Sequence, residues 1–186
     1  AFIYENGSMT NLGVWWGGSS YANAINNEGD IAGHFVYSGY QWSSSYGYVY
    51  DGESITETNT GLLNDIDNNG VAVGEYLYYK DGKKENMPSG FYAKGIGENN
   101  DILGQYNSLA SSFNYETNII MPLSTIQGSY AVESNNAGQA IGYALGRASL
   151  FENGNTTYLF DTGISSIVCD INDLGYIVGN YRVGNI

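Results

Sequence analysis

The chain holds one histidine, His34, the only side chain whose ordinary pKa suits general acid–base work near neutral pH. No G-x-S-x-G, H-E-x-x-H or Walker sequence accompanies it. Positions equivalent to His34 in a repeat described below hold Glu75, Gln105, Tyr143 and Asn180. A position so variable between copies argues against catalysis there. Carboxylates are frequent, but none is set apart from turn-forming sequence, so the reading is of a protein that is not an enzyme. The stretch Asp65-Ile-Asp67-Asn-Asn69-Gly70 begins like a calcium-binding loop, with side-chain oxygens at alternate positions. The bidentate Glu that should close such a loop falls on Tyr76. Asp65, Asp67 and Asn69 therefore stand as metal candidates, while Asn and Asp at this place in other copies read better as turn formers. Asp65, Glu133 and Asp170 also share one strand position, where acids converging on a central channel would attract a cation.

The second kind of chemistry is aromatic. Trp15, Trp16, Tyr37, Tyr40, Trp42 and Tyr46 lie in two stretches of otherwise small and polar residues. Exposed Trp and Tyr rings stack on sugar faces and anchor protein interfaces, because each pairs a large apolar face with a polar edge. These six are the candidate ligand-binding residues. No cofactor is expected.

The elements that position them come from internal repetition. Ala-Ile-Asn-Asn-Glu-Gly-Asp-Ile-Ala-Gly at 24–33 returns at 65–74, 95–104, 133–142 and 170–179. The closing Gly falls at 33, 74, 104, 142 and 179, at intervals of 30 to 41 residues. Between the copies lies a second motif, Ala-Phe-Ile-Tyr-Glu-Asn-Gly at 1–7, with counterparts at Tyr48–Gly52, Tyr78–Gly82, Phe113–Asn118 and Leu150–Gly154. Asn-Gly and Asp-Gly between aromatic and β-branched residues signal tight hairpins, and Asn118 stands in for Gly in one copy. Each repeat thus predicts four short strands. In the first full copy these are a (ending near Ile25), b (Asp30–Phe35), c (Tyr46–Tyr50) and d (Ser54–Thr58).

Four strands in about forty residues is the size of a propeller blade. The predicted fold is an all-β, five-bladed β-propeller with four short antiparallel strands per blade, one domain over residues 1–186. Counting from the closing glycines, the fifth repeat takes strands a and b from the C-terminal end and c and d from the N-terminal end. The N- and C-terminal strands are therefore expected to share one blade, which leaves no open sheet edge. The longest b–c connection, Tyr37 to Tyr46, and the d–a connection carrying Trp15 and Trp16 then emerge on one face near one blade. Core positions follow as Ala22/Leu63/Ala93/Ala131/Val168, Ala32/Val73/Leu103/Ile141/Val178 and Ile25/Ile66/Ile96/Ile171, with Ser134 breaking the third set. Recurrence of the closing Gly predicts close backbone approach there. Cys169, close in sequence to Ile167, Val168 and Ile171, is expected as a small buried thiol.

Composition agrees. Gly numbers 26 of 186 and Tyr 18, against 6 Phe and 3 Trp, as suits short strands and many turns. Net charge is −13, with only six Lys and Arg, which opposes binding to nucleic acid or an anionic membrane. With one Cys there is no internal disulfide, and no apolar run is long enough to span a membrane as a helix. No signal peptide is expected within residues 1–186. The chain begins in a strand-like segment, so any targeting segment is expected to have been removed or left out.

The stretch AFIYENGSMTNLG…GGSSYANAINNEGDIAG resembles the HAF repeat, a bacterial extracellular repeat with the pattern A-F-L-W-x-x-G…L-G-T-L-G-G…A-x-x-I-N-x-x-G-x-I-V-G. The resemblance extends over the chain and is closest at residues 1–33; Val14-Trp15-Trp16 depart from it. It implies secretion and a propeller-like fold, and no particular reaction. The expected function is a non-enzymatic, secreted binding or adhesion module that recognises glycan or protein through the aromatic face. The alternative is a structural subunit of an extracellular layer or filament, with self-assembly; a hydrolase or calcium-binding protein ranks below both.

Overall fold

The computed structural model describes residues 1–13, 18–38, 43–97, 99–161 and 164–182. Among these residues the chain is all-β: twenty strands joined by turns. Among the described residues no helix is long and apolar enough to cross a membrane. The strands fall into two compact units, Ala1–Asn86 and Met87–Ile186.

In the first unit, β1 (Phe2–Glu5) and β2 (Ser8–Asn11) form a two-stranded sheet. A four-stranded sheet follows in chain order: β3 (Ser19–Ile25), β4 (Ile31–Ser38), β5 (Ser43–Tyr50) and β6 (Ile55–Glu57). The next comprises β7 (Asp65–Ile66), β8 (Ala72–Val73), β9 (Leu77–Lys80) and β10 (Lys83–Asn86). The second unit holds two four-stranded sheets. One is β11 (Phe91–Ile96), β12 (Asp101–Tyr106), β13 (Leu109–Asn114) and β14 (Ile119–Pro122). The other is β15 (Tyr130–Ser134), β16 (Gln139–Ala144), β17 (Arg147–Glu152) and β18 (Asn155–Tyr158). It ends with a two-stranded sheet of β19 (Ser165–Ile171) and β20 (Ile177–Arg182). All pairings are antiparallel between chain neighbours. The expected pairing of the terminal strands is not among them: β1–β2 and β19–β20 are separate sheets.

Local chemistry explains the repeat. In the a–b turns, Asn26 Oδ1 accepts the N–H groups of Glu28 and Asp30, and Asp67 Oδ1 those of Asn69 and Val71. Asn135 and Asn172 do the same for Ala137 and Gln139, and for Leu174 and Tyr176. The Asn/Asp positions are therefore turn formers, as their spacing suggested. The c–d turns Asn6-Gly7 and Asn153-Gly154 have positive φ at both residues, the mirror-image turn that matches strand twist; Asn118 also has positive φ.

The first strand carries a β-bulge in four of the a–b hairpins, at Ala22/Ala24, Ala93/Gly95, Ala131/Glu133 and Val168/Asp170. The closing glycine lies opposite the residue just before the bulge. A Cβ on Gly104 or Gly142 would meet the carbonyl oxygen of Tyr92 or Tyr130 at 2.0 Å, so no larger residue fits. The extra residue of the β19 bulge is Cys169. Its thiol is exposed, not buried as expected, because a bulge shifts the alternation of faces that the sequence pattern assumes.

Apolar residues pack between successive sheets. Ala32 clusters with Leu63, Ile66 and Ala72; Leu103 with Ala131 and Phe151; Ile141 with Val168 and Ile171. Most predicted core positions are buried. Ala22, Ile25 and Val178 are not: Ile25 and Val178 are each 59% exposed.

Candidate functional site

The hairpin β4–β5 outgrows its counterparts. The β12–β13 and β16–β17 hairpins turn directly after the pairs Tyr106↔Leu109 and Ala144↔Arg147. The matching pair in β4–β5 is Phe35↔Tyr46, and the ladder runs on through Val36↔Ser45, Tyr37↔Ser44 and Ser38↔Ser43. Its base is fixed by packing. Phe35 stacks on Tyr48 with ring centroids 4.6 Å apart, and both are buried with Leu12 and Ile31. Gly47 lets the 58–61 segment close in: a Cβ there would meet Thr60 Oγ1 at 2.3 Å, and Thr58 N–H donates to the Gly47 carbonyl.

Residues directly opposite share a face, and so do alternate residues along a strand. Tyr37 and Tyr46 therefore lie on one face of the projecting hairpin, the face that carries Phe35 and Tyr48 below. Tyr46 is 39% exposed and Tyr37 partly buried. An apolar ring with a phenolic donor and acceptor suits stacking on a sugar or filling a partner's pocket. Of the other sequence candidates, Trp15 and Trp16 lie within 14–17, and Tyr40 and Trp42 within 39–42, outside the described residues.

The opposite face of the same sheet carries a cluster that sequence reasoning did not assemble. Tyr21 stacks on His34, centroids 4.8 Å apart and rings 11° from parallel. Asn23 Nδ2 lies 3.0 Å from His34 Nδ1 and also donates to the Leu63 carbonyl. Burial holds the His34 pKa below its ordinary 6.5. The neutral ring thus accepts from Asn23 at Nδ1 and keeps its proton on Nε2. The cross-strand pair Tyr21↔His34 was hidden from the sequence because the bulge at Ala22/Ala24 sets its register. Equivalent positions also reach the following repeat: Gln105 Nε2 donates to the Ser129 carbonyl, and Tyr143 Oη accepts from Val168 N–H. Gln105 and Tyr143 thus reach the following repeat through different groups, one donating and one accepting.

The metal candidates are engaged locally. Asp67 is buried, and its Oδ1 accepts two backbone N–H groups. Asp65, Glu133 and Asp170 each accept the N–H of the next residue, at 2.9, 2.9 and 2.7 Å. At Glu133 and Asp170 this position follows the bulge, where the disturbed ladder leaves an N–H to satisfy. Among the described residues no group of three or more His, Cys, Asp or Glu is arranged to hold a metal ion. Compared with protein-family models, curated proteins and solved structures, the chain matches none.

Proposed function

We propose that this chain is a non-enzymatic, secreted binding or adhesion module, built as a five-bladed β-propeller and recognising glycan or protein through an aromatic loop face. The observation that carries the reading is the β4–β5 hairpin, three residue pairs longer than β12–β13 and β16–β17, with Tyr37 and Tyr46 on one face. In sequence, Trp42 falls between the residues of β4 and β5, and Trp15 and Trp16 fall between those of β2 and β3. Support for the ring comes from the repeat phase: two strands at each end of the chain complete the fifth set of four. The HAF-like pattern supports secretion. A net charge of −13 weighs against nucleic acid and anionic membranes as partners.

A glycan array tests the binding claim, probed with the native protein and with Trp15, Trp16, Trp42, Tyr37 and Tyr46 each changed to Ala. Binding to a defined glycan class that these changes abolish is expected. Absence of any glycan or protein ligand, or binding indifferent to all five changes, would overturn it. The second reading, a structural subunit of an extracellular layer or filament, draws on the exposed apolar residues Phe2, Tyr4, Val178 and Tyr181 on the two-stranded sheets. Assembly of the purified chain into filaments or layers would favour it.

A further inference from the structure

We infer that Tyr21, Asn23 and His34, on the face of the β3–β4 hairpin turned toward β7–β8, form a second binding site, which takes one neutral saccharide unit. The site uses none of the residues of the proposed function and lies wholly within Ala1–Asn86.

The bulge builds it. Asn23 is the extra residue between Ala22 and Ala24, and a bulge re-aims the side chain it carries. Asn23 Nδ2 spends both its hydrogens, one on His34 Nδ1 at 3.0 Å and one on the Leu63 carbonyl at 2.6 Å. Asn23 Oδ1 is left as an acceptor, without a partner among the described residues. The same contact fixes the imidazole. Nδ1 accepts, so Nε2 carries the proton and stands as a donor, again without a partner among the described residues. Tyr21 holds the ring from the other strand, stacked at 4.8 Å and 11° from parallel.

Other repeats spend this position on packing. Gln105 gives its Nε2 to the Ser129 carbonyl, and Tyr143 Oη accepts from Val168 N–H, each in the following repeat. Here Asn23 makes that link, to Leu63, and His34 Nε2 is released from it. The other three bulges carry Lys94, Val132 and Cys169 in the place of Asn23. An amide set against an imidazole is thus particular to this hairpin.

The surroundings come from the same unit. Ala1, Leu12 and Ile3 pack on the sheet face of Ile31, Phe35 and Tyr48, and Leu63, Ile66 and Ala72 on the face of Ala32. Ala32 and His34 alternate along β4, so the site sits at the margin of the second of these interfaces.

The groups specify the ligand. A sugar hydroxyl both donates and accepts, so neighbouring hydroxyls satisfy His34 Nε2–H and Asn23 Oδ1 together. An apolar C–H face suits the ring of Tyr21, which His34 covers on one side only. None of the three side chains is charged at neutral pH, and a chain of net charge −13 opposes an anion. The stack and the shared amide hold all three side chains in place before a ligand arrives, which lowers the entropy cost of binding.

The single histidine is its own reporter. The native chain is titrated with the methyl glycosides of glucose, galactose, mannose and N-acetylglucosamine, each alone, while NMR follows the His34 ring. At least one should give a saturable shift with a Kd of about 1 mM, the range open to so small a ligand. Tyr21→Ala should weaken that binding about tenfold or more, and Tyr21→Phe, which keeps the ring, should stay within about threefold of native. In the native protein, magnetisation transfer from the glycoside C–H protons should reach the Tyr21 ring; its absence at saturation overturns the site whatever the variants do. No shift with any of the four glycosides overturns the inference and leaves the reading of Tyr37 and Tyr46 to the glycan array. A shift that survives Tyr21→Ala overturns it, as does one that Tyr46→Ala abolishes, which places the sugar on the opposite face.

Discussion

The side-chain amide of Asn135 donates to the backbone carbonyl of Asn172, 2.9 Å away, and so ties one turn to the next along the chain. The same residue's Oδ1 closes its own turn by accepting from Ala137 and Gln139. One side chain thus shapes a repeat and joins it to its neighbour. The two roles separate by substitution. Asn135→Asp keeps the turn oxygen, as Asp67 shows, and removes the donor; it should cost about 1 kcal/mol. Asn135→Ala removes both and should cost about 2–3 kcal/mol. Chemical denaturation of the two variants checks the order.

Gly142→Ala should destabilise by about 3 kcal/mol or more. Its Cβ would meet the Tyr130 carbonyl oxygen at 2.0 Å, and that oxygen belongs to backbone on the bulged strand, which has no free rotamer to move. Denaturant midpoints for the glycine and alanine proteins measure the effect.

His34 should titrate below its ordinary 6.5, because burial disfavours the imidazolium. The unfolded chain takes up its proton first as pH falls. Stability should therefore fall from about pH 7 downward through 6.5, and level off once the folded state is protonated too. Protonation would also oppose two donors, Asn23 Nδ2 and His34 Nδ1–H. With one histidine in the chain, NMR titration gives the value directly, and His34→Gln should flatten the pH dependence of Tm in that window.

Asp67 should act through hydrogen bonds and not through a metal. Asp67→Ala should cost about 1–3 kcal/mol by leaving the Asn69 and Val71 N–H groups unpaired. The Tm of the native protein should be the same with and without a calcium chelator; a chelator-dependent drop would assign the loop to calcium.

The turns, the closing glycines and most sheet-to-sheet apolar positions were legible in the sequence, because local chemistry dictates them. Asn26, Asp67, Asn135 and Asn172 recur for the turn oxygen, and Gly142 for a backbone contact. What the sequence could not show is burial that depends on the neighbour. Val178 and Ile141 occupy the same repeat position, yet one is exposed and the other packed. Cys169 was misplaced for a related reason: a bulge adds a residue and breaks strict alternation. Tyr37 and Tyr46 were legible as candidates, but their shared face needed the register of β4–β5.

The proposed propeller joins five sets of four strands in one closed ring. Amide hydrogen exchange of the native protein tests it most directly. In a closed ring, consecutive amides Val178, Gly179 and Asn180 of β20 are all hydrogen-bonded and should exchange as slowly as Ile141, Gly142 and Tyr143 of β16. If alternate amides of β20 exchange as fast as those of the edge strand β18, its outer side faces water and the ring is open.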